Sequence, residues 1–205
     1  MYKKPTRIVL SFLNLAAFIA TVAVNALASI LPLNNKDTGQ LSDQYPNLFV
    51  PSGLTFSIWG LIYLLLGIYV IYQIIISFRE TKGNRGFIEK IGLLFIISSV
   101  LNIGWIFAWH YEIVWLSLIL MVLLFASLLA IYLRLNIGKS NANTLEKFLV
   151  HIGFSIYLGW ITIATIANVT ATLVNYGWNG FGLSEQFWAV LVIAVGIIIA
   201  ISVLF

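Results

Sequence analysis

The chain has 205 residues, of which 61% are hydrophobic and only 9% are charged, and its mean hydropathy is +1.01. This composition excludes an ordinary soluble domain and predicts an integral membrane protein. The net charge is +4 and cysteine is absent, which excludes disulfides, thiolate catalysis and cysteine-based metal sites.

Apolar runs recur along the chain at lengths near the ~20 residues that span a hydrocarbon core. They predict six transmembrane helices, at residues 8–31, 53–78, 87–109, 113–133, 148–174 and 187–205. No run alternates apolar and polar residues as the strands of an outer-membrane barrel do. We therefore expect an all-α bundle.

Basic residues lie almost entirely on one side of these six helices. Ten of the eleven fall before the first helix, between the second and third, or between the fourth and fifth: Lys3, Lys4, Arg7, Arg79, Lys82, Arg85, Lys90, Arg134, Lys139 and Lys147. Only Lys36 falls on the other side. The positive-inside rule then predicts a multi-pass protein of the inner (plasma) membrane with a cytoplasmic N-terminus. The same distribution accounts for the net charge, so no nucleic-acid partner is expected.

The first apolar run resembles a cleavable signal peptide, because three basic residues precede it and Ala26-Leu27-Ala28 follows. The run is longer than a usual signal sequence, however. It also carries Asn14 and Asn25, which lie eleven residues apart and so share one helical face. We expect a retained helix with an interhelical contact on that face.

Two connections on the less basic side are long. Residues 33–50 are expected to fold over the bundle as a lid, with Asp37 and Asp43 as solvated charges. In residues 175–186 the aromatic side chains indicate an interfacial loop, followed by a helix start with Ser184 as N-cap and Glu185 in the first turn. The final run reaches Phe205 without a polar flank, which favours a longer chain over a helix that ends there.

Three predicted helices carry aromatic and polar stripes at helical spacing. The stripes are Thr55, Trp59 and Tyr63; Ser98, Asn102, Trp105 and Trp109; and Tyr157, Trp160, Ala164 and Asn168. A buried carboxamide or indole N–H needs a partner, which is either another helix or a ligand. Trp59, Trp105 and Trp160 also fall well inside their runs, although tryptophan prefers the interface. The stripes predict a pocket for a flat apolar ligand; the alternative is that they only join helices, with Gly104, Gly159 and Ala164 permitting close approach.

Ionisable residues are absent from the central part of all six runs. Proton- and ion-coupled carriers place such residues there, so a coupled pump is disfavoured. No His or Met lies on the three stripes, and neither a metal site nor haem iron ligation is expected. No cofactor is required by the pattern.

The stripe residues resemble the tryptophan-rich sensory proteins, which form the TspO and mitochondrial benzodiazepine-receptor family. Leu101-Asn102-Ile103-Gly104-Trp105 matches the family's Leu-Asn-x-x-Trp, and residues 157–168 resemble its Tyr-Leu-x-Trp-x-x-x-Ala-x-x-x-Asn. Pro51 with Trp59 and Tyr63 is similar to the block that opens its second helix. The chain departs from the family at Ser52-Gly53, where a tryptophan is usual, at Ile156, where a proline is usual, and in its sixth helix.

The resemblance implies a five-helix bundle over residues 1–174, to which residues 175–205 add a loop and a sixth helix. It further implies a pocket open toward the first loop that binds tetrapyrroles such as protoporphyrin, or sterol-like and drug-like molecules, often in a homodimer. Asn102, Trp105, Trp160 and Ala164 would line the pocket, Asn168 would form its wall and Trp59 would lie opposite.

The expected function is thus a ligand-binding sensor or translocator in the lipid bilayer. An enzyme is disfavoured and would be limited to porphyrin photochemistry with a stacked tryptophan as electron partner. A small-solute transporter and a structural protein without a ligand stay open as alternatives. Because Lys36 is the only cation of the lid, a neutral ligand fits as well as a dianionic porphyrin.

Overall fold

The computed structural model describes residues 3–31, 33–49, 52–79 and 86–204, except the side chains of residues 200 and 202–204. Within these ranges the chain is helical and contains no strand. The helices are α1 Lys4–Ile30, α2 Thr38–Ser42, α3 Ile58–Phe78, α4 Gly86–Ile91, α5 Leu94–His110, α6 Val114–Leu135, α7 Thr144–Glu146, α8 Ile152–Asn175 and α9 Glu185–Leu204. A 3₁₀ turn at Gly53–Ser57 leads into α3, and a π-helical turn at Lys147–His151 leads into α8. The predicted all-α fold class is confirmed.

Five long helices form a closed ring. α1 packs against α3 and α5, α6 packs against α5 and α8, and α8 returns to α3. The ring is tight where α8 meets α3, because a Cβ on Gly153 would lie 3.4 Å from the Leu65 Cβ. α9 packs against α8. The aromatic stripes belong to α3, α5 and α8, so the ring determines where they can meet.

Four helical segments are long and apolar enough to cross a membrane: Lys4–Ile30, Gly53–Phe78, Val114–Leu135 and Thr144–Asn175. α5, Leu94–His110, is apolar but shorter, whereas α9 has 20 residues and is apolar over Glu185–Ile199. The 17 residues of α5 rise about 25 Å, which is somewhat less than the ~30 Å hydrocarbon core. Four of the six predicted spans therefore meet the length and composition expected of a membrane helix, and the third is shorter.

The predicted continuous third helix, residues 87–109, is interrupted. α4 ends at Ile91, and Gly92 adopts a left-handed conformation with φ of 52° before α5 begins at Leu94. The Gly92 N–H donates to the Ile88 carbonyl, as in a helix C-terminal cap. Apolar periodicity continues across the break because Phe87 and Ile88 are buried like the residues of α5. The pattern therefore did not reveal the turn.

The inward face of α1 is polar and its outward face is apolar. Asn14 and Asn25 are buried, whereas Val9 and Phe12 are exposed. The Asn14 amide donates to the Gln73 Oε1 at 3.0 Å and to the Tyr69 hydroxyl at 3.3 Å, both on α3. The predicted interhelical contact of Asn14 and Asn25 is thus confirmed, and it is the arrangement expected where the surroundings are lipid.

Some sequence predictions concern residues that lie outside the described part of the chain. These are Pro51 of the motif before α3, the basic residues Lys82 and Arg85, and the chain end at Phe205.

The N-cap prediction for the last helix is confirmed, since the Phe187 N–H donates to the Ser184 Oγ at 3.3 Å.

Candidate functional site

Residues from all three stripes converge on one small cavity inside the ring, under α2. Its volume is about 30 Å³, and it is named the aromatic cavity below. It is lined by Thr38, Ser42, Phe56, Trp59, Trp105, Trp109, Trp160, Ala164, Ala167 and Asn168. Six of the nine predicted site residues, namely Trp59, Trp105, Trp109, Trp160, Ala164 and Asn168, are therefore brought together.

Indole and phenyl rings form most of the wall of this cavity. Trp160 meets Trp59 and Phe56 edge to face, with ring centroids 6.2 Å and 5.9 Å apart. On the α5 side, Trp105 and Trp109 stack at 6.1 Å with an interplanar angle of 15°. Aromatic pairs at these separations stabilise one another beyond their burial. The result is a wall of flat, polarizable surfaces.

Two indole N–H groups at the cavity are buried without a hydrogen-bond partner in the described structure, those of Trp105 and Trp160. Leaving a buried donor unsatisfied costs about 1–3 kcal/mol, so each such group calls for an explanation. By contrast, the Trp109 N–H reaches the Thr38 carbonyl at 3.4 Å. The aromatic cavity thus combines apolar faces with two donors that can serve a ligand.

Asn102 and Tyr157 do not line the aromatic cavity; they join helices instead. The Asn102 Oδ1 accepts from the Asn25 Nδ2 at 2.8 Å, and its Nδ2 donates to the Tyr157 hydroxyl at 3.2 Å. This chain of bonds connects α1, α5 and α8 at buried positions. The Tyr157 ring also packs edge to face on Trp59, with ring centroids 5.9 Å apart.

Asn168 lines the cavity and also makes a helix contact. Its Oδ1 accepts from the Ser117 Oγ of α6 at 3.2 Å. Tyr63 lies one turn below Trp59 and stacks on it at 5.5 Å. Its buried hydroxyl has no partner in the described structure.

A larger groove lies on the other side of Trp59, between α1 and α3, and is named the side groove. Its volume is about 540 Å³, and Asn25, Ser29, Asp37, Gly53 and Tyr63 are among its lining residues. It shares Thr38, Phe56 and Trp59 with the aromatic cavity. These three residues therefore form a partition between the two spaces.

α2 covers the aromatic cavity, as the lid prediction expected for residues 33–50. Asp37 caps this short helix: its Oδ1 accepts from the N–H groups of Gly39 and Gln40 at 2.8 and 2.9 Å. The Gln40 side chain accepts in return from the Asp37 N–H at 3.0 Å. Asp37 is therefore a structural cap, and the prediction of a merely solvated charge is wrong. The Asp-x-x-Gln spacing of a capping box was the available signal.

The lid is held to the end of α5 by polar contacts. Lys36 forms an ion pair with Glu112 at 2.7 Å, and the Asn34 amide donates to the His110 carbonyl at 3.1 Å. Tyr45 packs on Trp109 at 5.7 Å, and burial together with the nearby Glu112 carboxylate raises the pKa of Tyr45. Lys36 is thus already paired with a carboxylate.

Four lining residues were not predicted from the sequence: Thr38 and Ser42 of the lid, Phe56 and Ala167. Phe56 and Ala167 lie three residues from Trp59 and Ala164, so helical spacing could have identified them. Contact with the lid residues depends on how the loop folds, which no periodicity encodes.

A family model described as TSPO-like protein matches residues 11–205. The match includes α1 from residue 11 onward and the other four ring helices, and it continues through α9, so the last helix lies inside the matched region. No curated protein and no solved structure matches the chain.

Proposed function

Since this chain belongs to the TSPO-like protein family, we propose that it is a membrane protein that binds a flat apolar ligand, such as a tetrapyrrole or a sterol-like molecule, in the aromatic cavity. One observation carries the proposal: the two buried indole N–H groups of Trp105 and Trp160 have no partner in the described structure, and both residues line the same cavity. A planar ligand with acceptor atoms would stack on the rings and satisfy both donors.

Binding such a ligand requires the cavity to enlarge. Drug-sized ligands occupy pockets of roughly 300–1,000 Å³, whereas the aromatic cavity measures about 30 Å³. Rotation of Phe56 and Trp59 would merge it with the side groove of about 540 Å³. The ligand then enters between α1 and α3, beneath the lid, and Phe56 and Trp59 pack against it once it is bound.

Charge around the site favours a neutral ligand over a dianion. Lys36 is the only Lys or Arg in residues 31–57, and it is paired with Glu112. A porphyrin with two free propionates would have to compete with that carboxylate for the same ammonium. We therefore expect the dimethyl ester of protoporphyrin to bind more tightly than the diacid.

The proposal includes a sensing or translocating role in the inner (plasma) membrane, with the N-terminus in the cytoplasm. The orientation rests on the ten basic residues predicted on one side. A homodimer is part of the family's expected behaviour and is carried over on that ground. The proposal includes no reaction, because the described residues that line the aromatic cavity include no acid, base or nucleophile pair.

A titration of the purified protein with protoporphyrin tests the proposal. Tryptophan quenching and the shift of the porphyrin absorption band would be followed in wild type, Trp160→Phe and Ala164→Trp. Ala126→Trp is a matched control, because Ala126 is exposed on α6. Saturable binding that both cavity variants weaken and the control preserves is the expected result. Because a neutral ligand is favoured, the dimethyl ester is titrated in the same way, and uptake of both porphyrins equal to that of protein-free detergent would overturn the proposal.

A further inference from the structure

A third space lies on the far side of α8 from the aromatic cavity, between α8 and α9. Its volume is about 520 Å³, and it is named the outer groove. Its walls include Thr165, Val169 and Leu173 of α8 and Trp188, Val192 and Val195 of α9. Residues 46–49 and 178–180 border it at the loop end of the two helices.

The outer groove is closed at one end and open at the other. α9 touches α8 at Gly196, where an added Cβ would lie 3.6 Å from the Ile166 Cδ1. Trp188 lies eight residues before Gly196, which is about 12 Å along the axis of α9. The space between the helices is thus a slot of about that depth, which begins in the apolar middle of α9 and opens toward its first turn.

Between the two helices, the polar side chains Thr165, Thr170 and Trp188 of the slot are already hydrogen-bonded. The hydroxyls of Thr165 and Thr170 donate back to the carbonyls of Ile161 and Ile166 at 2.6 and 2.9 Å, which leaves their methyl groups for contact. The Trp188 N–H donates to the Gly180 carbonyl at 3.0 Å. The aromatic cavity differs, because its two free indole donors suit a ligand with acceptors.

The mouth of the slot has the character of a membrane interface. The rings of Trp178, Phe181 and Phe187 surround Trp188, and the Trp178 and Trp188 centroids are 4.7 Å apart. Aromatic residues of this kind settle at headgroup level. Among residues 175–205 the sequence contains one acidic residue, Glu185, and no Lys or Arg. Glu185 is exposed and borders the groove, so its carboxylate is complementary to an ammonium and repels an anionic headgroup.

We infer that the outer groove binds one acyl chain of a membrane lipid whose headgroup carries an ammonium, with that ammonium beside Glu185. The site is independent of the proposed function. α8 turns Ala164 and Asn168 to the aromatic cavity and Thr165 and Val169 to the outer groove. The two sites therefore lie on different faces of one helix and take ligands of different shape.

The test uses the full chain in vesicles of phosphatidylcholine that contain a trace of photoactivatable lipid. The reactive group is placed on the acyl chain, and two probes differ only in their headgroup, ethanolamine or glycerol. Mass spectrometry then locates the cross-links. Labelling at residues 165–174 and 188–195 is compared with labelling at residues 122–126, because Val122, Leu123 and Ala126 of α6 are exposed.

The ethanolamine probe is expected to label the groove residues more strongly than it labels residues 122–126 of α6. Its labelling of the groove should exceed that of the glycerol probe by about two- to fivefold, which is the range of an exposed ion pair. Ala189→Trp should remove the groove labelling, because Ala189 lines the space, whereas Ala126→Trp should preserve it. Glu185→Gln should make the two probes equal while chain labelling persists. Labelling no higher than on α6, equal labelling by both probes in wild type, or full labelling in Ala189→Trp would each overturn the inference.

Discussion

Replacing Asn102 by leucine separates helix joining from ligand binding. The structure gives Asn102 two side-chain hydrogen bonds, to Asn25 at 2.8 Å and to Tyr157 at 3.2 Å, and places it outside the aromatic cavity. Leucine keeps most of the volume and removes both bonds. We therefore expect Asn102→Leu to destabilise the ligand-free protein and to leave its affinity for protoporphyrin nearly unchanged.

The size of the effect follows from the two bonds that are lost. Hydrogen bonds between membrane helices contribute about 0.6 kcal/mol on average and up to about 1.7 kcal/mol. The Asn25 amide keeps its bond to the Thr21 carbonyl at 2.9 Å, so it is not left without an acceptor. Two bonds at these values predict a loss of about 1–3 kcal/mol in the free energy of unfolding.

Equilibrium unfolding in mixed micelles, followed by helical circular dichroism, measures this loss. Tyr157→Phe and the double variant complete a cycle. Because Tyr157 and Asn102 share one bond, the double variant should lose less than the sum of the two single losses. Unchanged stability combined with a large loss of porphyrin affinity would refute the reasoning and would place the Asn102 amide against the ligand.

Three further variants test the cavity and its lid. Trp160→Phe removes a donor that has no partner in the described structure, so porphyrin affinity should fall. The smaller ring also gives up contacts with Trp59 and Phe56, so some stability is lost for that reason alone. Unchanged porphyrin affinity would contradict the role of the N–H in binding. Glu112→Gln breaks the ion pair with Lys36, an exposed pair worth about 0–1 kcal/mol. Stopped-flow quenching should therefore show faster ligand association at little cost in stability. An unchanged association rate would mean that the lid does not control ligand entry. Asp37→Ala removes the cap of α2, worth about 0.5–2 kcal/mol. Amide hydrogen exchange should become faster at residues 38–42 and stay constant in α6. Unchanged exchange at residues 38–42 would contradict the capping role.

The parts of the site that the sequence predicted are those that lie on regular helices. Trp59, Trp105 and Trp160 face the ring interior because helical spacing fixes which residues share a face. The polar face of α1 could be predicted for the same reason, since carboxamides such as Asn14 must find partners away from lipid.

Other features depend on tertiary contacts that spacing does not contain. Asn102 and Trp105 lie three residues apart on one stripe, yet Asn102 bonds Asn25 and Trp105 borders the cavity. A stripe spans enough of the helix surface to meet two neighbours, and the partner depends on how the ring closes. The break at Gly92 could not be predicted from the sequence, because apolar residues continue on both sides of it.

α8 is the element on which the two proposed sites depend. Its residues 164–170 alternate between the aromatic cavity and the outer groove: Ala164 and Asn168 face inward, whereas Thr165 and Val169 border the groove. The lid segment also serves both sites, since Thr38 covers the cavity and residues 46–49 border the groove. A lipid held in the outer groove would therefore contact the same loop that covers the aromatic cavity. Occupancy of the groove can influence ligand affinity only through differential contacts with that loop in its closed and open positions.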